Sequence, residues 1–164
     1  MMLLLFNIGE ERYGVDVSQV LEVLPFLKLT PIRKTPAYVA GVANCRGQLI
    51  PVLDISRMYT KKSASNRLST RIILVTQTLA DDKKHVLGIL AERVTDAVRI
   101  DNMMPASPYE KENKSMLLGQ ELIMVDEQII QRVNADELLP SYLHKRLFHL
   151  NTPTKPHDAG NECH

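Results

Sequence analysis

Apolar and polar residues alternate with a period of two along most of this chain, the pattern of half-buried strands. Leu3, Leu5 and Asn7 alternate with Leu4, Phe6 and Ile8, so the first strand is largely apolar on both faces. Glu10-Glu11 reads as a turn. Tyr13, Val15 and Val17, alternating with Gly14 and Asp16, read as the returning strand of a hairpin. The period then changes. Val20, Val23 and Leu24 fall at i, i+3 and i+4, which predicts a short helix over 19–24 with those three facing inward. Ser18 would cap it, Pro25 would stop it, and Glu22 lies off its apolar stripe. Strands are expected again over 27–32, 39–42 and 48–53, punctuated by Pro31, Pro36 and Pro51.

Residues 55–59 suggest one helical turn, and the polar, basic run 60–69 a mobile loop. The β-branched run 70–76 is the strongest strand. Ala80-Asp81-Asp82-Lys83-Lys84 forms a turn answered by 86–92, with Gly88 in its interior, and 93–100 supplies Val94, Val98 and Ile100. Pro105 and Pro108 place a long loop over 102–115. A last hairpin joins 122–125 to 129–133 across Asp126-Glu127-Gln128. Asn134 caps a helix over 135–139, with Glu137 where a capping-box acid belongs. A further short helix is expected over 141–150 and a disordered tail over 151–164. About ten short strands are too many for one small barrel and suit two, so the fold class expected is all-β with short helices.

A chain of 164 residues fits one domain or two intimately packed subdomains. Its 45% hydrophobic and 24% charged residues are ordinary globular values, which excludes disorder of the whole chain. Two cysteines, Cys45 and Cys163, make no disulfide framework. The opening Met1-Met2-Leu3-Leu4-Leu5-Phe6 has no basic residue before it and stops at Asn7, unlike a secretion signal. No stretch approaches the ~18 apolar residues of a membrane helix, so a cytoplasmic protein without direct membrane insertion is expected.

Charge changes the picture more. The net charge of +1 hides nine bases against one acid, Asp54, between Val23 and Ala80, while fourteen acids meet ten bases from Asp81 onward. The basic half suggests an acidic partner surface, or else scattered solvated lysines.

No catalytic constellation stands out. The sequence holds neither a dinucleotide fingerprint nor a Walker loop. Its five histidines, His85, His144, His149, His157 and His164, form no metal-spaced pair, so neither metal nor cofactor is expected. Cys45 is the one plausible nucleophile, and a small buried hydrophobe is its plainer reading. A thiol enzyme would show itself by stoichiometric labelling of a low-pKa thiol. A small basic barrel that binds nucleic acid is another reading, though Phe26, Tyr38 and Tyr59 make no stacking array.

The segment from Pro36 to Asp54 is more specific. Gly41 allows close backbone approach. Asn44 and Gly47 bracket Arg46, so the turn must tolerate positive φ or a bulge, and Arg46 would project from a hairpin tip as an interface anchor. Asn44-Cys45-Arg46-Gly47 followed by Pro51-Val52-Leu53-Asp54 resembles the Asn-x-Arg-Gly and Pro-Val-x-Asp signature of the CheW family, the coupling proteins of bacterial chemosensory arrays. Residues 6–17 resemble that family's first hairpin, and Val20-Leu21-Glu22-Val23 its Val-x-Glu-hydrophobic stretch. Gly88-Ile89-Leu90 through Val94-Thr95-Asp96-Ala97-Val98 resembles its second-half strand pair, and Val133-Asn134-Ala135-Asp136-Glu137-Leu138-Leu139 its closing Asp-x-x-x-Leu-Leu. The set runs in order over residues 3–139.

The resemblance implies two five-stranded SH3-like β-barrel subdomains, intertwined over residues 1–140, with the helix over 141–150 and the tail over 151–164 added. It implies a non-catalytic adaptor that binds the regulatory domain of a CheA-type histidine kinase and the cytoplasmic tip of a methyl-accepting chemoreceptor. Glu22 and Arg46 match the family's contact surface, and Val20, Asn44 and Gly47 belong with them. The chain departs from the family at Cys45, where leucine is usual, at Asn134, where aspartate is usual, in the polar Ile129-Ile130-Gln131-Arg132, in the charged loop over 103–115 and in the extension over 141–164. The departures point to an alternative chemosensory system, whose output need not be flagellar.

Overall fold

The computed structural model describes residues 1–60, 69–79, 81–101, 121–139 and 141–148. Their strands are β1 (Met2–Ile8), β2 (Glu11–Asp16), β3 (Val20–Pro25), β4 (Val39–Cys45), β5 (Gln48–Asp54), β6 (Arg71–Thr78), β7 (Lys84–Ala91), β8 (Ala97–Arg99), β9 (Glu121–Val125) and β10 (Gln128–Val133). Two short helices accompany them, α1 (Ile55–Thr60) and α2 (Ser141–Phe148). The loop expected over 60–69 lies almost wholly outside the described residues, and the loop over 102–115 and the tail over 151–164 lie outside them entirely.

The strands form two five-stranded sheets, ordered β3-β6-β7-β5-β4 and β8-β1-β2-β10-β9. The first uses a contiguous run of the chain, β3 to β7. The second joins β8–β10 to the hairpin β1–β2 from the start. Each sheet sets two hairpins side by side through one parallel pair, β5 with β7 and β10 with β2, and adds a lone strand beside the remaining hairpin edge. Counted from β3 and from β8 the order is therefore the same, with the second copy wrapping from β10 to β1. These are the two SH3-like subdomains.

Three apolar clusters explain the strand patterns. Ile72 and Leu74 of β6 point into the first sheet's own cluster with Leu24, Ala43, Cys45, Ile50, Val52 and Leu90. Ile73 and Val75, on the opposite face, join a central cluster with Phe6, Tyr13, Leu53 and Leu87. Leu3, Leu5, Ile100, Ile123 and Ile130 fill the second sheet. Strands that separate two cores read as apolar on both faces, which is why β1 and β6 show no clean alternation. Leu143 and Leu147 of α2 are buried in the central cluster, and the ring of Phe148 lies 4.2 Å from that of His85 on β7.

Several expectations need correction. Residues 20–25 are a strand, not a helix. The helical element is a 3₁₀ turn at Val17–Gln19, capped by Asp16, whose carboxylate accepts from the Ser18 amide at 2.9 Å. Val23 faces solvent. A bulge between Val20 and Glu22 breaks the two-residue period and imitates helical spacing. Residues 27–32 form no strand. Pro25 precedes the segment and Pro31 interrupts it, and only Thr30 pairs, exchanging bonds of 2.9 and 2.8 Å with Val42. The strand expected over 93–100 shortens to β8, and the helix over 135–139 to a 3₁₀ turn at Ala135–Glu137 capped by Asn134. The last hairpin turns on two residues, Asp126 and Glu127, both at positive φ, rather than three.

Candidate functional site

The hairpin β4–β5 turns on Arg46 and Gly47, with φ of 52° and 78° and the pair Cys45–Gln48 closing it. Positive φ at both central residues is the type I′ geometry whose twist suits a two-residue hairpin, as the bracketing by Asn44 and Gly47 requires. Asn44 Oδ1 accepts from the Gly47 amide at 3.2 Å. Gly41, the other glycine of the segment, runs against the chain. A Cβ there would lie 2.5 Å from the Thr30 carbonyl oxygen, so the close approach is real and closes β4 onto the segment after β3.

That closure sets the geometry. β3 and β4 are opposite edges of the first sheet, yet Arg46 Nη2 lies 3.3 Å from Glu22 Oε2 and donates to Oε1 at 3.5 Å. The ion pair thus bridges the seam where the sheet meets itself. Its side chains are 57% and 37% exposed, so water screens it and leaves both charges accessible to a partner. The fold brings Glu22, Asn44, Arg46 and Gly47 to one tip. It sets Val20 apart from them, half-buried against the central cluster.

The strands that carry the pair also expose apolar side chains. Leu21 (57% exposed) and Val23 (40%) flank Glu22 on β3, and Leu49 lies opposite Asn44 in the β4–β5 register. Helical spacing hid the first two. Read as a strand, 21 and 23 point away from the core together, which is the signal that would have found them.

Cys45 is buried among Leu24, Ile50 and Val52 and is disulfide-bonded, which corrects the expectation of an unpaired small hydrophobe and leaves no free thiol at this position. Among the described residues no group of three His, Cys, Asp or Glu could hold a metal ion, and no helix is long and apolar enough to cross a membrane.

Comparison with known proteins adds a framework. The CheW-like domain family matches residues 2–142. The chain is 27% identical over 140 residues to the chemotaxis protein CheW of Rhizobium meliloti, covering 85% of this chain and 87% of that protein. It is 32% identical over 137 residues to the protein FrzA of Myxococcus xanthus, covering 82% of each. Its fold is similar to that of the scaffolding protein TtCheW from Thermoanaerobacter tengcongensis, with a TM-score of 0.71, 25% identity and coverage of 85% and 87%.

Proposed function

Because the chain belongs to the CheW-like domain family, we propose that it is a cytoplasmic, non-catalytic adaptor that couples a methyl-accepting chemoreceptor to a CheA-type histidine kinase by binding both. The observation that carries this reading is the exposed Arg46–Glu22 pair at the hairpin tip, on strands that also expose Leu21, Val23 and Leu49. An arginine on a hairpin turn whose strands expose apolar side chains has the chemistry of an interface anchor. The accompanying acid lets one tip accept a donor as well as offer one. Of the five residues expected at the contact surface, Glu22 and Arg46 are assigned to partner contact, Asn44 and Gly47 shape the turn that presents Arg46, and Val20 lies apart on the central cluster. The nucleic-acid reading finds no support among the relatives.

A transient coupling interface of this kind buries on the order of 1,000–1,600 Å². Truncating its central arginine is expected to remove about 2 kcal/mol or more of binding. The test is pull-down of the purified chain with its host's kinase regulatory domain and receptor signalling tip, with Arg46→Ala alongside. Binding that falls in the variant supports both role and site. A well-folded chain that binds neither partner overturns the proposal.

A further inference from the structure

Arg46 occupies a conformation that arginine avoids. Its φ of 52° is left-handed, where asparagine and glycine are at home at this position of a type I′ turn. A strained residue persists only where its surroundings hold it. One such hold is visible, the 3.2 Å hydrogen bond from the Gly47 amide to Asn44 Oδ1. In an ordinary two-residue turn that amide faces water.

The second sheet supplies an internal comparison. Its matching turn, Asp126-Glu127, has φ of 47° and 66° and is closed by the pair Val125–Gln128. The residue matching Asn44 is Met124, which has no oxygen to offer. The same backbone turn is thus built twice, once clamped by a side chain and once with no such acceptor at the matching position. The clamped copy is the one whose first turn residue reaches across the seam, Arg46 to Glu22 at 3.3 Å.

We propose that Asn44 is a positioning residue. It holds the left-handed turn that aims Arg46 along the seam toward Glu22 and toward the partner, and its effect on binding passes through Arg46. The binding half of this inference rests on the adaptor reading; the turn itself does not.

The experiment uses the full chain as Asn44→Ala, Asn44→Asp, Arg46→Ala and the double variant Asn44→Ala/Arg46→Ala. Without any partner, hydrogen exchange at the Gly47 amide reads the clamp. Asn44→Ala is expected to lower protection about tenfold while Asn44→Asp, which keeps an acceptor oxygen, retains it. Unchanged protection in Asn44→Ala overturns the proposal even if the chain binds both partners. With the kinase regulatory domain, Asn44→Ala is expected to weaken binding about fivefold to tenfold, Asn44→Asp to restore it, and Asn44→Ala to add nothing once Arg46 is alanine. An equal further loss in the double variant would make Asn44 a contact in its own right and overturn the positioning role. Loss of Gly47 protection on Asn44→Ala, together with a parent chain that binds neither partner, would instead overturn the adaptor reading and leave the clamp standing.

Discussion

Gly14 and Gly88 stand at the same point of the two sheets. Gly14 on β2 pairs with Leu5 and, across the parallel ladder, with Arg132. Gly88 on β7 pairs with Leu74 and, across the other parallel ladder, with Val52. Both face the interior of their own subdomain, where a Cβ would meet Leu3 Cδ1 at 3.0 Å in one case and Val52 Cγ2 at 2.9 Å in the other.

Gly88→Ala should therefore destabilise the protein by about 1–3 kcal/mol, because the atoms it meets, Val52 Cγ2 and Ile72 Cγ2, belong to stiff β-branched side chains. Gly14→Ala should be milder, since the nearest atom is the far end of Leu3. Urea midpoints of the two variants check the order. Val52→Ala should recover part of the loss in Gly88→Ala, and a loss that stays the same would show that crowding is not its cause.

The period-two reading found both hairpins of the second sheet, although β1 is apolar on both faces, because polar turn residues separate each strand from its partner. It failed at β3, where a bulge sets Val20, Val23 and Leu24 at helical spacing. It failed again at residues 27–32, whose leucines pack against the first sheet's cluster without a ladder to accompany them. Asn44, Arg46 and Gly47 were legible as a turn because backbone sign is a local property of sequence. The meeting of Arg46 with Glu22 was not, since it depends on closure of the sheet between its two edges. Sequence resemblance, rather than spacing, placed those two residues on one surface.

Arg46→Ala should shift the free energy of unfolding by less than about 1 kcal/mol, because an ion pair this exposed stabilises little. Thermal or urea unfolding beside the binding assay separates the roles. A large loss of stability would mean that the seam needs this pair to close.

Glu127 sits at φ 66° in the second type I′ turn, a position glycine fills without strain. Glu127→Gly is expected to stabilise the protein by about 1 kcal/mol, against the usual sign for such a change. A lowered unfolding midpoint would show that the carboxylate contributes more than the conformation costs.

Leu147 of α2 is 1% exposed within the central cluster, although the family match ends at residue 142. Leu147→Ala should destabilise the chain by about 2–5 kcal/mol, the range for a buried leucine. A change under about 0.5 kcal/mol, the level of an ordinary surface substitution, would mean that the helix merely rests on the fold.

Asp81 accepts from the Lys83 amide at 3.1 Å and lies 3.6 Å from its ammonium. The amide first, and the lysine charge after it, hold its carboxyl below the ordinary 3.8. A depressed carboxylate supports the β6–β7 turn above the ordinary value and stops doing so as pH falls through its own midpoint. Carboxyl titration by NMR should place that midpoint below 3.8, and Asp81→Asn should remove the acid dependence of the turn's amide shifts.

The order of the second sheet also has a consequence for synthesis. The β1–β2 hairpin leaves the ribosome before the rest of its sheet and finds its parallel partner β10 only after about a hundred further residues. At ordinary elongation rates that is a delay of roughly 5–20 seconds. During it the first subdomain, whose strands follow one another from β3 to β7, can close on its own, while β2 keeps an open edge of backbone donors and acceptors. A nascent chain arrested before β10 would expose that edge to pairing with its neighbours, so the earliest strands are the ones a chaperone would have to shield longest.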